Sequence, residues 1–495
     1  MKSGLVYLIG AGPGDAGLIS EKALKILARA DCVIYDYLAG KSLVENLKCE
    51  KIFVGKKGSE HTMPQEEINR LLVEKAKEGK LVARLKGGDP FIFGRGGEEA
   101  EELLSAGIRF RVVPGISSFY SAPAYAGIPV THRDYANSFE VITGHRRGDS
   151  PEEEINFPEF DPQKTFIFIM GMKNLDYISR KLISEKSFPE DYPAGVVSWG
   201  TTPAQLTVTG VLGNIAGKAK AAGIGAPAII VIGRVVLLRD KLRWFEDMPL
   251  FGKRIAVTRT REQASVLAEK LSELGADAIE FPTIELKRKN DLTALVTAID
   301  HIEQYDWIIF TSQNAVNIFF DKVTDCNKDA RCLHKAKIAA IGPATANELR
   351  KYFIKPDLVP EEFIAEGILR EIIKFKIKDK RILLPCATEA RPALKDGLLS
   401  LGAKVERIEI YDTIVPDNIS EDALSAVQSA DMITFASSST VKNFFKIVKK
   451  TNAKLACIGP ITADALKALG YTPDVVASEY TIDGLVEAIV KYYAA

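Results

Sequence analysis

The chain has 495 residues, 46% of them hydrophobic, and its 65 basic residues balance 65 acidic ones to a net charge of zero. With no long run of either sign, the composition excludes a bulk basic surface for nucleic acid and an acidic tail. Six cysteines without a Cys-x-x-Cys pair speak against a disulfide framework. No uninterrupted apolar stretch reaches membrane-spanning length, and the opening residues lack a secretory core, so the expected setting is a cytoplasmic enzyme with neither membrane nor nucleic-acid partner.

Val6–Ile9, Cys32–Tyr35, Leu81–Leu85, Val141–Thr143, Phe166–Met170 and Ile229–Ile232 are apolar runs of strand length. They alternate with amphipathic stretches such as Ile19–Ala30 and Glu66–Lys77, and this alternation predicts the α/β class. The pattern breaks between Phe245 and Arg254, and a new strand-to-helix unit opens at Ile255-Ala256-Val257-Thr258. The division expected is one domain over 1–248 and a second over 249–495, joined by a short connection containing Pro249 and Gly252.

The stretch Leu85-Lys86-Gly87-Gly88-Asp89-Pro90-Phe91-Ile92-Phe93-Gly94-Arg95-Gly96-Gly97-Glu98-Glu99 follows directly on one strand-like run. Gly87 and Gly88 can take positive φ and leave bare backbone beside a ligand, while Pro90 fixes the next turn and Asp89 adds an acceptor. The loop lacks the terminal Lys-Ser/Thr of a phosphate-binding P-loop. A ligand with an amino group, ribose hydroxyls and a positive charge suits it better than a phosphate, which describes S-adenosylmethionine. Gly10-Ala11-Gly12 with Asp36 further on also matches part of a dinucleotide fingerprint. Against that alternative, Asp15 occupies the third glycine position and Pro13 removes an N–H that would cradle pyrophosphate.

The second half repeats itself. Phe310-Thr311-Ser312-Gln313-Asn314 is echoed by Phe435-Ala436-Ser437-Ser438-Ser439-Thr440, and Ala340-Ile341-Gly342-Pro343 by Cys457-Ile458-Gly459-Pro460. This predicts two similar α/β lobes, each with two strand-to-helix turns whose free N–H groups favour anions; the plain alternative is that Ser and Thr only cap helices. Cys326, Cys332 and His334 sit close in sequence, but no second cluster completes a tetrahedral metal set, and no metal is expected.

With the companions Val6-Tyr7-Leu8-Ile9-Gly10-Ala11-Gly12-Pro13-Gly14-Asp15, Val54-Gly55-Lys56, Val113-Pro114-Gly115-Ile116, Thr131-His132-Arg133, Thr143-Gly144-His145, Met170-Gly171-Met172 and Gly200-Thr201, the glycine-rich loop resembles the uroporphyrinogen-III C-methyltransferases of the tetrapyrrole methylase family. The resemblance implies a fold of two α/β subdomains, a homodimer formed through this half, and two methyl transfers from S-adenosylmethionine, leaving S-adenosylhomocysteine. It also implies cofactor contacts at Pro13, Gly87, Gly88, Asp89, Ile92, Ser117, Ser118, Met170 and Gly200, with Asp36 as proton acceptor and Lys56 as donor. Arg133 and His145 are candidates for gripping substrate carboxylates, each with a structural ion pair as its alternative.

Residues 249–495 resemble uroporphyrinogen-III synthase, through Val257-Thr258-Arg259, the paired turns, and Ala390-Arg391-Pro392 leading to Glu409-Ile410-Tyr411-Asp412-Thr413. The resemblance implies a two-lobed fold, lobe one about 250–283 plus 413–495 and lobe two about 284–412, with crossings at Glu280–Ile284 and Ile408–Asp412. It implies ring closure of a linear tetrapyrrole, with Tyr411 assisting departure of the hydroxyl and Ser312, Asn314, Ser437, Ser438 and Thr440 contacting substrate. Cys386-Ala387 stands where an arginine-containing turn is more usual, leaving one anion contact unassigned. A rival reading makes this half a binding lobe that only presents substrate.

Overall fold

Residues 4–45, 47–55, 63–144, 155–258, 261–416 and 419–494 are described by the computed structural model, and their strands form four five-stranded sheets. In the first sheet β1 (Leu5–Gly10), β2 (Cys32–Tyr35), β3 (Glu50–Phe53), β4 (Leu81–Lys86) and β5 (Arg109–Val113) lie in the order β3-β2-β4-β1-β5. Every pairing is parallel. Such a sheet is covered on both faces, which is why its strands read as near-continuous apolar runs. Tyr7, Ile9, Val33, Ala83 and Leu85 face the helix Glu21–Leu27. Val6, Leu8, Cys32, Ile34 and Val82 face the helices Gln65–Lys77 and Gly96–Ser105. The parallel arrangement puts all five carboxyl ends at one edge, where open α/β sheets bind ligands.

The amphipathic stretch expected over Ile19–Ala30 yields a shorter helix. Ser20 sits at its N-cap and accepts the N–H of Ala23 at 3.2 Å, so regular structure starts at Glu21.

The second sheet contains β6 (Ser138–Thr143), β7 (Lys164–Ile169), β8 (Pro193–Ser198), β9 (Leu206–Val211) and β10 (Ala228–Ile232) in the order β6-β7-β10-β8-β9. Only β6 and β7 pair in parallel; the other three pairings are antiparallel. Phe166, Phe168, Ile230 and Ile232 pack toward the helix Leu175–Glu185. Ile167, Val197, Ile229 and Val231 pack on Ala122 and Ala126, at the end of the helix Ser118–Tyr125 that leads out of the first sheet.

After β11 (Arg254–Val257) and β12 (Asp277–Glu280) the chain passes to β13 (Glu285–Arg288), β14 (Trp307–Phe310), β15 (Lys337–Ala340), β16 (Arg381–Ala387) and β17 (Lys404–Ile414). These five form a sheet in the order β13-β17-β16-β14-β15, antiparallel only at β13. The chain then returns through β18 (Met432–Phe435), β19 (Lys454–Cys457) and β20 (Val475–Val476) to complete the sheet β12-β11-β18-β19-β20. The first expected crossing, Glu280–Ile284, falls in the break between β12 and β13. The second, Ile408–Asp412, lies inside β17, where Ile408 and Ile410 are buried in a hydrophobic core, and the strand continues to Ile414.

By compactness the chain divides into two units, Met1–Ile255 with Lys270–Ala278 and Val490–Ala495, and Ala256–Glu269 with Ile279–Ile489.

Candidate active sites

At the carboxyl edge of the first sheet three backbone turns meet without side chains between them. A Cβ on Gly115 would lie 2.2 Å from the Gly88 carbonyl oxygen and 2.7 Å from Gly10 Cα, and one on Gly10 would lie 2.5 Å from Gly115 Cα. Gly12 and Gly88, at φ 84° and 65°, exchange backbone hydrogen bonds of 3.3 and 2.7 Å. Glycine is required by close approach at Gly10 and Gly115 and favoured by the left-handed conformation at Gly12 and Gly88. Gly87 is held against Leu38, whose Cβ would stand 2.6 Å from an added methyl.

Asp89 is buried and secures this cradle. One carboxylate oxygen accepts the Phe91 N–H at 2.8 Å and the other the Gly115 N–H at 2.9 Å. The acceptor that the sequence offers to a ligand is therefore engaged in fixing two loops, and main-chain groups are what the loops present. Ser117 is buried at the N-cap of the helix Ser118–Tyr125 without using its side chain as a cap, and its Cα lies 3.8 Å from the position of a Gly88 Cβ. Pro13 and Ser118 are half-buried on the same edge, and Ile92 is exposed.

The second sheet brings Met170 and Gly200 to the ends of β7 and β8. Gly200 abuts the helix Ser118–Tyr125 so closely that its Cβ would stand 2.2 Å from Ala122 Cβ. Asp15 ties the two sheets. Its N–H donates to Thr201 Oγ1 at 3.1 Å, and its carboxylate accepts the Tyr125 hydroxyl at 2.8 Å. Burial, then this hydrogen bond, pushes the Tyr125 phenol well above its usual range. Tyr37 meets Trp199 edge-on, with centroids 6.3 Å apart.

Backbone strain concentrates here. Phe93, Arg95, Met170, Trp199 and Thr201 are non-glycine residues with φ between 49° and 71°, and such conformations gather at ligand clamps. Tyr37, Leu38, Phe91, Phe93, Met170 and Trp199 are apolar yet exposed along these loops, a combination that marks a binding groove.

Asp36 follows β2 and does not cap the short helix Tyr37–Ala39 with its side chain. Its Oδ2 stands 3.6 Å from an Arg84 guanidinium nitrogen, and its buried Oδ1 has no hydrogen-bond partner among the described residues. Arg84 and Lys86 alternate along β4 onto one face, where both donate to Oε1 of the fully buried Glu99, at 3.1 and 2.7 Å. Burial, then the neighbouring Arg84, pulls the Lys86 ammonium below its ordinary value. These three charged residues were not singled out from the sequence; the signal was an Arg-x-Lys pair inside an otherwise apolar central strand. Arg133 is exposed beside the turn closed between His132 and Ala136. Lys56 and His145 lie outside the described residues.

In the second half Ser312 caps the helix Gln313–Asp325, accepting the Ala315 N–H at 3.1 Å, and shares a 2.9 Å hydrogen bond with the Tyr411 hydroxyl. Asn314 is half-buried in the first turn. Tyr411 is 6% exposed, and burial raises its phenol above the usual range while Ser312 pulls it back, so the hydroxyl remains a proton donor at neutral pH. Where arginine is more usual, Cys386 is buried, and a guanidinium arrives from the neighbouring strand: Arg407 donates to the Thr388 carbonyl at 2.8 Å.

The matching turn of the other lobe is a full capping box. Ser437 Oγ accepts the Thr440 N–H and Thr440 Oγ1 accepts the Ser437 N–H, each at 3.3 Å. Thr440 is buried, so its hydroxyl shapes the turn while the main-chain N–H groups of the first helical turn remain for an anion. Ser438 donates to the Ile461 carbonyl at 3.2 Å, joining the two turns of that lobe. Both Gly-Pro turns carry an exposed ring: a Cβ on Gly342 would lie 3.2 Å from Phe363, and one on Gly459 2.9 Å from Tyr480. The sequence echo pointed to the turns and missed these rings.

Comparison with known proteins matches residues 5–216 to the tetrapyrrole (corrin/porphyrin) methylases and residues 265–487 to uroporphyrinogen-III synthase HemD. A porphyrin biosynthesis protein HemD of Ruminiclostridium josui is 38% identical over 99% of this chain and 98% of its own length. A uroporphyrinogen-III C-methyltransferase of Bacillus subtilis (strain 168) is 43% identical over 71% of this chain and 72% of its own. Among solved structures, uroporphyrin III C-methyltransferase of Thermus thermophilus complexed with S-adenyl homocysteine is 34% identical, covering 47% of this chain and 93% of that one at a TM-score of 0.40.

Proposed function

The chain belongs to the porphyrin-biosynthesis HemD family, carrying a tetrapyrrole methylase domain ahead of a uroporphyrinogen-III synthase domain, and from that premise we propose that it converts hydroxymethylbilane to uroporphyrinogen III and then methylates the product twice to precorrin-2, toward sirohaem or cobalamin. The working division is 1–248 for the methylase and 249–495 for the synthase, in a cytoplasmic enzyme that pairs with a second copy through its methylase half. The observation that carries the methylase reading is the cradle in which any Cβ on Gly10 or Gly115 would strike backbone, closed by Gly88 in the left-handed conformation.

The donor expected there is S-adenosylmethionine, whose sulfonium supplies a methyl for in-line displacement. Bare backbone at Gly87 and Gly88 admits the ligand, Asp89 holds the two loops at fixed separation, and exposed Met170 and the Gly200 turn face it from the second sheet. Holding nucleophile and methyl in a near-attack geometry is the main catalytic task. The pyrrole carbon forms its bond to the methyl as the sulfur recovers an electron pair. The Asp36 carboxylate then takes the ring proton, the C–H electron pair returning to the ring, with Lys56 as the proposed donor.

In the synthase half, loss of hydroxide from the linear substrate needs a proton, and the Tyr411 phenol is the proposed donor, a reading supported by its hydrogen bond to Ser312. Helix-end N–H groups at Ser312, Asn314, Ser437 and Ser438 grip the substrate carboxylates; Arg133 and His145 do so in the methylase half. Calorimetric titration of the whole chain with S-adenosylhomocysteine and, separately, with NAD(P)H tests the cofactor assignment. Saturable binding of the first alone is expected; binding of the nicotinamide alone would overturn it.

A further inference from the structure

The fully buried Glu99 has no place in the chemistry above, yet it draws together side chains from two other elements, β4 and the helix Gln65–Lys77. Its Oε1 accepts from Arg84 Nε at 3.1 Å, Lys86 Nζ at 2.7 Å and Gln65 Nε2 at 3.1 Å. Gln65 is held in turn by Asn69 at 2.9 Å. Arg84 continues the chain of contacts. Its second nitrogen donates to the carbonyls of Leu85 at 3.3 Å and Ile34 at 3.5 Å, and its third stands 3.6 Å from Asp36 Oδ2. One planar guanidinium thus spans from the anion under the helix Gly96–Ser105 to the carboxylate at the end of β2, and also grips the β2 backbone two residues before that carboxylate.

A guanidinium fixed on several sides is a rigid fork, whereas a lone carboxylate on a strand-end turn rotates freely. Among the described residues Asp36 makes no cap hydrogen bond, and the Arg84 guanidinium is the cation that faces its carboxylate. Without Glu99 the buried strand would hold two cations with no anion between them.

We propose that Arg84, anchored by Glu99, is a positioning residue of the methylase reaction: it holds the partly exposed Asp36 carboxylate in the orientation that meets the proton leaving the methylated macrocycle. The inference rests on the reading of Asp36 as proton acceptor, and a double-mutant cycle separates the two. Methylation of uroporphyrinogen III by the whole chain is measured for the wild type, Asp36→Asn, Arg84→Gln and the double variant, with S-adenosylhomocysteine affinity and melting temperature for each.

Arg84→Gln should lower kcat by about a hundredfold with S-adenosylhomocysteine affinity within about twofold of the wild type, and the double variant should be no slower than Asp36→Asn alone. Losses that multiply in the double variant would overturn the proposal, because Arg84 would then act independently of Asp36. Wild-type kcat in Asp36→Asn would instead remove the acceptor assignment itself, and Arg84 would have no group to act through. If Arg84→Gln does not fold, Arg84→Lys keeps the buried charge on a head that lacks the fork, and the same cycle applies to it.

Discussion

At the scale of single residues, glycine at position 115 is demanded by backbone on two sides. Gly115→Ala should destabilise the chain by about 1–3 kcal/mol, the usual penalty of overpacking, and weaken S-adenosylhomocysteine binding by at least about tenfold. Gly217, with nothing within 4 Å of its Cβ position, serves as the control: Gly217→Ala should hold or raise stability. Urea unfolding and calorimetry of both variants check this. Tyr411→Phe should keep the fold and reduce ring closure by about a hundredfold if the phenol delivers a proton; wild-type closure in that variant would remove it from the chemistry. Because burial raises this phenol, its neutral form is favoured in the folded state. That contribution is complete below the ordinary tyrosine value of about 10 and is lost as pH rises through the higher folded value. The glycines and Tyr411 were legible as residues, since their types carry their use. The duty of Asp89 was not, because a carboxylate reads the same whether it faces a ligand or two backbone N–H groups.

At the scale of elements, β4 shows what an apolar run conceals. Val82, Arg84 and Lys86 share one face with period two, and Glu99 on the helix Gly96–Ser105 meets both cations there. Glu99→Ala should therefore destabilise by about 3–5 kcal/mol, as removal of one partner from a buried charge cluster does, measured by denaturant unfolding. Near the outer edge of the same sheet, Glu50 bonds Lys75 and Lys80, each at 2.8 Å, and those lysines hold its carboxyl down at about 2. Its stabilisation is present above the unfolded value of about 4 and is lost as pH falls through that of the folded state. Glu50→Gln should lower the melting temperature slightly at pH 7, with the difference from the wild type shrinking as pH falls from about 4 toward 2. Strand existence was legible from apolar runs, and the direction of pairing was not. β8 and β9 lie antiparallel to their neighbours although local sequence carries no mark of it, and β17 continues past Asp412 because Thr413 and Ile414 pair with Leu286 and Glu285 of β13.

At the scale of the whole molecule, two sites of contrasting physics share one chain. The methylase cleft relies on absent side chains and a fixed carboxylate, whereas the synthase turns rely on helix ends with few titrating groups. The internal echo announced the paired turns because cap residues and Gly-Pro starts are local signals. The aromatic rings over Gly342 and Gly459 escaped because each lies well downstream of its turn. The two proposed reactions are chemically consecutive, since ring closure would yield the macrocycle that methylation consumes, and a covalent neighbour raises the effective concentration of the next catalyst. The central claim is tested most directly by incubating the intact chain with hydroxymethylbilane and S-adenosylmethionine and following the products by mass and absorbance. The account predicts a dimethylated, reduced tetrapyrrole of the type III isomer; unmethylated macrocycle alone, or only the type I isomer formed by spontaneous closure, would contradict it.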